Sequence, residues 1–374
     1  MLLTILTFIL ILGILVFVHE FGHFVSARKM GVKVEEFGLG LPPRLFGIKK
    51  GETIYSLNLL PLGGFCKIKG ESGEYIKDED SFAYKKIWQR FIILTSGIAM
   101  NFLLAILLLS IGFLIGLPQV LDDLPQGAKI SDPKIQLISI LKESPAEKVG
   151  LRVGDTILSI DDQEFKETKE IQEYIAKKSG QILKIKLKRG KEIFEREIIP
   201  DPSLKDQETG KEEKGIIGVG LVKTGIVSYP WYKSFWYGLT VTFSLVIQII
   251  LAIGFLIKDL ILRQPLSIDV AGPVGIAVIT GQVVQLGFIY ILQFTALLSI
   301  NLATINFFPF PALDGGRVIA LGIEKIRRKP NNPKIENFIH NIGFIFLLTL
   351  IILITLRDIN RLGEKIFELI GRLF

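Results

Sequence analysis

Residues 2–23 are LLTILTFILILGILVFVHEFGH, and this stretch combines a long apolar segment with a possible metal-binding motif. Its first seventeen residues, Leu2 to Val18, carry no charge, which is typical of a membrane-crossing helix. His19 and His23 follow directly. Because helical residues four apart lie on one face, both imidazoles can hold one metal ion, and Glu20 between them can act as the base for an attacking water. The pattern predicts metal-assisted hydrolysis at a membrane.

Histidine usage supports a functional interpretation of this motif. The chain has three histidines, and two of them are His19 and His23. Histidine and glutamate inside an apolar helix are costly unless they serve a purpose. The alternative, polar residues satisfied at the end of a helix, is the weaker explanation.

Composition indicates an integral membrane protein. The chain has 374 residues, of which 49% are hydrophobic, and its mean hydropathy is +0.46. We predict a polytopic α-helical membrane protein with room for a soluble domain. The single Cys66 excludes an internal disulfide and a cysteine-rich metal site, and we expect it to be a small buried side chain.

Charge distribution predicts the membrane topology. The net charge of +7 comes largely from loops beside apolar segments, so we expect no nucleic-acid partner. Arg28 and Lys29 follow the first apolar segment, which places the histidines at its cytoplasmic end by the positive-inside rule. We predict about four transmembrane helices, at about residues 2–24, 91–117, 286–308 and 338–356, followed by an amphipathic tail from Ile359 to Phe374.

A fifth apolar stretch is ambiguous. Phe235 to Ile257 has no charge and is long enough to span a bilayer. An additional crossing would put Asp314 on the opposite side of the membrane from His19. Interior polar residues and flanking aromatic residues suit a helix lying in the interface. We therefore predict an interfacial or re-entrant helix at about 234–262.

Residues 122–223 differ in composition and predict a soluble α+β domain between two membrane parts, 1–117 and 224–374. Ser144-Pro145-Ala146-Glu147 is a capping box with proline at the first helical position. Apolar residues alternate with lysines in 183–188 before the turn Arg189-Gly190-Lys191, which predicts a β-hairpin. The run from Ser144 through Gly154-Asp155-Thr156-Ile157 resembles a bacterial PDZ domain. This resemblance implies binding of an extended peptide as an added strand.

A metal site with two histidines needs a third protein ligand, and Asp314 is our candidate. It occurs in the sequence NFFPFPALDGG, residues 306–316, at the cytoplasmic end of the third predicted span. Two prolines break the helix there and two glycines free the backbone, which suits a carboxylate bent towards a metal. Asp314 as a simple helix cap is the alternative.

A second candidate element precedes the second span. Residues 53–69 predict a hairpin, with one arm before the Pro61-Leu62-Gly63-Gly64 turn and Phe65 to Ile68 as the other. An exposed strand edge dipping to the membrane could hold a substrate extended by β-augmentation. A purely structural hairpin is the alternative.

Taken together, the HEFGH motif and the Asp314 segment resemble the site-2 protease family of intramembrane zinc proteases, in the RseP-like branch with a PDZ domain between the second and third spans. Gly97 and Asn101 in the second span also fit. Two features depart from the family pattern: Ile98 stands where proline is common, and a second PDZ domain is missing.

The resemblance implies Zn²⁺ held by His19, His23 and Asp314, with Glu20 activating the water. It also implies that Asn306 positions the substrate or stabilises the oxyanion. It further implies substrates that are single-span membrane proteins, such as anti-sigma factors or remnant signal peptides. The location implied is the bacterial inner membrane, with the active site near the cytoplasmic side and the PDZ domain outside.

Three alternatives belong to other classes. A metzincin-type soluble protease would need glycine and histidine where Ser26 and Lys29 stand, so that class is excluded. A membrane protease with Glu35 or Glu36 as the third ligand remains open. A non-enzymatic membrane scaffold displaying its PDZ domain is the alternative outside catalysis.

Overall fold

The structure is a computed structural model that describes residues 2–121, 127–190, 192–202, 215–264 and 271–371. Three details of the predictions lie outside these ranges: the domain boundary at Asp122, the turn residue Lys191 and the end of the predicted tail at Phe374. The elements in chain order are α1 (Leu2–Lys29), β1 (Val34–Lys50), β2 (Thr53–Ile68), α2 (Ile87–Ile115), β3 (Leu117–Val120), β4 (Lys129–Ile140), α3 (Pro145–Lys148), β5 (Thr156–Ile160), α4 (Thr168–Lys177), β6 (Leu183–Arg189), β7 (Glu192–Ile198), β8 (Val219–Ser228), α5 (Trp231–Ile261), α6 (Pro273–Leu286), α7 (Phe288–Phe307), α8 (Asp314–Arg327) and α9 (Pro333–Gly371).

The chain divides into two units. Met1–Gly112 and Trp231–Phe374 form the first unit, which holds the long apolar helices, and Phe113–Pro230 forms the second. The second unit starts about nine residues before the predicted domain and ends about seven residues after it, because it also includes β3 and the end of β8, which pair with each other.

Within the described residues, five helices are long and apolar enough to cross a membrane: α1, α2, α5, α7 and α9. The first, second and fourth of these contain or closely match the predicted spans. Helix α5 is continuous over 31 residues and includes the ambiguous stretch Phe235–Ile257. Helix α9 runs without a break from the fourth predicted span into the predicted tail, as far as Gly371. The protein is thus a polytopic helical membrane protein.

Helices α1 and α2 pack closely at the level of the histidine motif. A Cβ atom on Gly22 would lie 2.7 Å from the carbonyl carbon of Ser96 and 2.9 Å from the nitrogen of Gly97, so a larger residue would push the helices apart. Ser26 and Ser96 join the two helices through a hydroxyl hydrogen bond of 2.8 Å. The glycine therefore sets how near α2 comes to the histidines.

Strands β1 and β2 form a separate sheet after the first helix. Phe37 lies opposite both Cys66 and Tyr55, and Gly38 lies opposite both Phe65 and Ser56. The first part of β1 is therefore placed between the two halves of β2. The predicted hairpin 53–69 was wrong in its pairing, because its two arms bond to β1 rather than to each other. The sequence did not reveal that their pairing partner is β1, which precedes the predicted hairpin in the chain.

The second unit contains a six-stranded sheet in the order β3-β8-β4-β5-β6-β7. The predicted hairpin is confirmed as β6 and β7, with Leu183 opposite Ile198 and Arg189 opposite Glu192. The predicted cap is also confirmed, since the Ser144 hydroxyl accepts from the nitrogen of Glu147 at the start of α3. Buried side chains of the strands and of α4 form one hydrophobic core.

Candidate metal centre

Helices α1 and α8 bring three predicted ligands together. The Nε2 atoms of His19 and His23 lie 3.3 Å apart. Oδ2 of Asp314, the first residue of α8, lies 3.2 Å from Nε2 of His19 and 3.3 Å from Nε2 of His23. Both histidines are buried. Although 291 positions separate His23 from Asp314 in sequence, the fold places their side chains at one point.

The geometry of this triangle fits a metal ion. Ligand atoms at about 2.0–2.1 Å from a tetrahedral ion are separated by roughly 3.3 Å, so the three measured distances match one face of a zinc tetrahedron. Oδ2 of Asp314 is buried and has no hydrogen-bond partner among the described residues. A buried carboxylate oxygen facing two imidazole nitrogens without a hydrogen bond is costly, and a cation between them would remove that cost. Two histidines and one aspartate are also the donor set that zinc accepts.

A broken segment carries Asp314 to this position. Helix α7 ends at Phe307, and α8 begins at Asp314, with the two prolines between them. Ala312 has a φ of 78°, which is rare for a residue with a side chain. Its backbone nitrogen donates to Nδ1 of His340 on α9 at 3.0 Å. His340 thus supports the loop just before Asp314, a role that sequence reasoning missed because only spatial proximity reveals it.

Helix α2 lies behind both histidines. Nδ1 of His23 donates to the carbonyl oxygen of Ile93 at 2.8 Å, and the side-chain nitrogen of Asn101 lies 3.4 Å from Nδ1 of His19. Between them, a Cβ atom on Gly97 would collide with Nε2 of His23 and lie 2.8 Å from Cε1 of His19. These contacts turn the Nε2 atoms of both rings towards Asp314.

Glu20 lies at the edge of the site, half-buried and beside the sheet. Its carboxylate interacts electrostatically with both histidines and with Asp314, and it lies beside the backbone of Cys66. Gly64 also approaches its side chain, since an added Cβ would lie 3.6 Å from Cγ of Glu20. The second half of β2 therefore lies next to the predicted base.

Cys66 itself is buried, as predicted from its isolation in the sequence. Burial, reinforced by the neighbouring Glu20 carboxylate, raises the pKa of the Cys66 thiol. A protonated thiol is a poor nucleophile and a poor metal ligand. The side chain therefore contributes packing rather than chemistry.

The remaining candidates are not among the three residues whose donor atoms are grouped at this point. Asn306 is half-buried in the last turn of α7, and its side chain makes no hydrogen bond with any described residue. Glu35 and Glu36, the alternative third ligands, pair with Lys67 at 2.9 Å and with Arg44 respectively. In the described part of the chain, the grouping of potential metal ligands consists of His19, His23 and Asp314.

Comparison with known proteins gives a consistent result. The family model for peptidase family M50 matches residues 7–350. A putative zinc metalloprotease of Clostridium perfringens is 34% identical over 92% of this chain and 95% of its own length. The regulator of sigma-W protease RasP of Bacillus subtilis is 29% identical over 96% of this chain and 99% of its own length.

A solved structure matches about a quarter of the chain. The PDZ domain of an SdrC-like protein from Listeria monocytogenes is 30% identical, covers 25% of this chain and 92% of that chain, and has a TM-score of 0.21. The family match, in contrast, includes the HEFGH motif, the Asp314 segment and nearly all of the chain between and around them. The chain belongs to peptidase family M50, the site-2 proteases, as the resemblance of its motifs implied.

Proposed function

We propose that this protein is an intramembrane zinc protease that uses Glu20, His19, His23, Asp314 and Asn306 to cut peptide bonds in or near the spans of single-span membrane proteins. The observation that carries the proposal is the triangle of donor atoms, with sides of 3.2–3.3 Å, built from an apolar helix and a distant helix start. A group of this composition placed among apolar helices suits hydrolysis of membrane-embedded peptides.

The roles follow from position. His19, His23 and Asp314 hold the ion; when bound, zinc polarises a carbonyl and lowers the pKa of water to about 7. Glu20 takes the proton of the attacking water and delivers it to the nitrogen of the leaving amine. The Asn306 amide donates to the oxyanion that forms as the peptide carbonyl is attacked, and one such donor contributes about 3 kcal/mol.

A cleavage assay with purified protein and a model transmembrane peptide tests these roles. We expect E20Q to retain zinc and lose cleavage, because the ligands remain and the base is gone. D314N should lose both zinc binding and cleavage. E35Q is the matched control, since Glu35 is paired with Lys67, and it should keep zinc and activity. Full zinc content in D314N together with zinc loss in E35Q would favour the alternative ligand, and cleavage by E20Q would refute the assigned base.

The contacts of the first unit support four crossings rather than five. Gly238 near the start of α5 lies against Ile106 and Ser110, late in α2. Gly281 of α6 lies against Thr4, at the start of α1. Since α1 and α2 run in opposite directions at the histidine motif, these two contacts lie at the same side of the membrane. The chain between Gly238 and Gly281 therefore makes an even number of crossings.

Helix α6 is too short to supply a return crossing. It has 14 residues, which at a rise of 1.5 Å give about 21 Å, whereas the apolar core is about 30 Å thick. We therefore propose that α5 lies in the interface or enters only part of the bilayer on the outer side. Cysteines placed along α5 in a C66A background test this. Labelling of I261C by an impermeant reagent from the outside supports the proposal, and labelling only from the cytoplasm contradicts it.

The sheet offers an edge to the substrate. Residues 64–68 of β2 pair with β1 on one side, and no described strand pairs with their other side. This edge lies next to Glu20, where Cys66 and Gly64 contact that residue. We propose that the substrate is unwound and held there as an added strand, since a helix hides its peptide bonds from attack.

Disulfide trapping can distinguish a strand from a helix. In the C66A E20Q background, F65C should crosslink with single cysteines of the substrate at every second position, because alternate residues of a strand face the same way. A repeat of three to four positions would show that the bound substrate is helical, and would refute the proposed edge.

The inserted PDZ-like unit supplies a second place for a peptide. The stretch Val219–Val222 of β8 pairs with β4 on one side, and no described strand pairs with its other side, since β3 bonds only from Thr224 onwards. We propose that this outer domain admits trimmed substrates and rejects intact ones. Deleting residues 122–223 should release cleavage of untrimmed protein, and unchanged rejection would end this proposal.

The relative in Bacillus subtilis is named for regulation of sigma-W. We propose that anti-sigma factors already shortened by another protease are a substrate class of this protein too. Its place is a bacterial inner membrane, with the metal centre near the cytoplasmic face. Basic residues Arg28 and Lys29 at the end of α1 support this orientation.

A further inference from the structure

Asn101 is a fully buried polar residue to which the proposed reaction assigns no role. It lies on α2 with none of its surface exposed, and its side-chain oxygen has no hydrogen-bond partner among the described residues. Its side-chain nitrogen lies 3.4 Å from Nδ1 of His19. An unpaired amide oxygen in an apolar interior is costly, so the arrangement needs an explanation.

The chemistry of His19 provides one. A histidine that gives Nε2 to a metal ion is neutral, so its Nδ1 carries the proton and needs an acceptor. Asparagine can place either its nitrogen or its oxygen at the same point by a half-turn of the amide, and the two orientations differ only in hydrogen bonding. With the oxygen towards Nδ1, Asn101 accepts that proton and its orphaned oxygen is satisfied.

Neighbouring contacts favour this role over simple packing. His23, the other ring, donates from Nδ1 to the carbonyl oxygen of Ile93 on the same helix. Ile93, Gly97 and Asn101 are four residues apart, so they lie along one face of α2. One face therefore gives an acceptor to each ring, with a glycine between them where the rings need space.

Asn101 is also held from the opposite side. Its backbone carbonyl oxygen accepts from the hydroxyl of Ser299 on α7 at 2.8 Å. Helix α7 leads to the loop that carries Asp314. This bond fixes the backbone of α2 at Asn101 against α7, and so sets where the side chain of Asn101 starts relative to His19.

We propose that Asn101 is a positioning residue whose side-chain oxygen accepts a hydrogen bond from Nδ1 of His19 and so points Nε2 of that ring at the metal. The proposal rests on the metal site of the proposed function. Removal of such an acceptor typically weakens metal binding by about 10–100-fold.

Zinc affinity of the purified full-length protein, measured by competition with a chelator, tests this. N101L removes the acceptor at nearly unchanged size, and we expect about 10–100-fold weaker zinc binding. N101D keeps an oxygen acceptor and should stay within a few-fold of wild type. N301L is the matched control, because the amide of Asn301 donates to Leu297 in its own helix. It should bind zinc as wild type does.

A zinc affinity of N101L equal to that of wild type would overturn the proposal while leaving the metal site intact. Wild-type protein that binds no zinc would instead overturn the proposed function, and this inference with it. If N101L does not fold, nitrogen NMR of the histidine rings in zinc-loaded wild type and N101D decides. The chain has only three histidines, and H340Q identifies one of them. A Nδ1 proton of His19 that shifts in N101D supports the proposal, and an unchanged signal refutes it.

Discussion

The substitution G97A tests how closely α2 must approach the metal centre. A Cβ atom at this position would lie 2.8 Å from Cε1 of His19 and would collide with Nε2 of His23. Non-bonded carbons prefer about 3.5–4.0 Å, so the His19 ring would have to retreat by about 0.7 Å. Metal–ligand distances tolerate only about 0.2 Å. The methyl group therefore displaces the donors beyond what coordination accepts.

Overpacking of this kind costs about 1–3 kcal/mol. If the ligands absorb that strain, zinc dissociation should become roughly 5- to 150-fold easier, since about 1.4 kcal/mol is a factor of ten. Chelator competition on the purified protein measures this, with thermal unfolding of the zinc-free protein as a check on stability.

G13A is the matched control, because it adds the same methyl group to a glycine of α1. No atom lies within 4 Å of a Cβ there, so the site is untouched. Alanine also favours helix by about 1 kcal/mol over glycine, and stability should hold or rise. If G97A binds zinc as tightly as G13A, the close approach of α2 does not matter for the metal site, and the geometric argument fails.

Three further predictions concern stability and metal removal. Stripping zinc with a chelator should abolish cleavage reversibly and lower the melting temperature. The reason is that a ligand at 100 times its dissociation constant stabilises the folded protein by about 2.7 kcal/mol. A melting temperature unchanged by the metal would contradict this. R189M should destabilise the second unit by about 2 kcal/mol in urea unfolding, because Arg189 donates to the fully buried Asp155 through two bonds of 2.7 Å. R196M is the control, because Arg196 lies over the ring of Phe194 as Arg189 does but donates only to the adjacent backbone oxygen of Glu195 among the described residues. It should change stability little, and equal effects of the two substitutions would argue against the pair. D358A should destabilise the start of α6, since Asp358 accepts from the backbone nitrogens of Gly272 and Gly275 at 2.9 and 2.8 Å. We expect faster amide hydrogen exchange confined to α6. Unchanged exchange there would contradict this prediction.

Local chemistry made part of the site predictable from sequence. His19 and His23 are four residues apart on one helix, so their shared face follows from helical geometry alone. Asp314 required a further step, in which membrane topology placed two ends of distant segments on one side. The proline and glycine pattern around Asp314 indicated a chain break, and the structure has the break between Phe307 and Asp314.

Contacts that depend on packing between distant segments were not predictable. The insertion of residues 36–39 of β1 between the two halves of β2 leaves no trace in alternation or turn residues, because either half could pair with either neighbour. The support that His340 gives to Ala312 likewise joins two segments whose sequences show only an isolated histidine and a proline-rich loop. Capping of α6 by Asp358 joins residues more than eighty positions apart.

The two histidines are close together in the sequence and Asp314 is far from them, and this difference shows which contacts the metal site depends on. The two histidines are fixed relative to each other by one helix, so the quantity that the rest of the fold must control is the position of Asp314. Three different helices restrain it: α7 leads into its loop, α9 holds Ala312 through His340, and α2 fixes the rings that it faces. Because α2 and α7 are themselves joined by Ser299 and Asn101, movement of α7 would be transmitted to His19 as well as to Asp314. A substrate that displaces α7 would therefore shift both His19 and Asp314, so substrate binding and the geometry of the proposed metal site would be coupled.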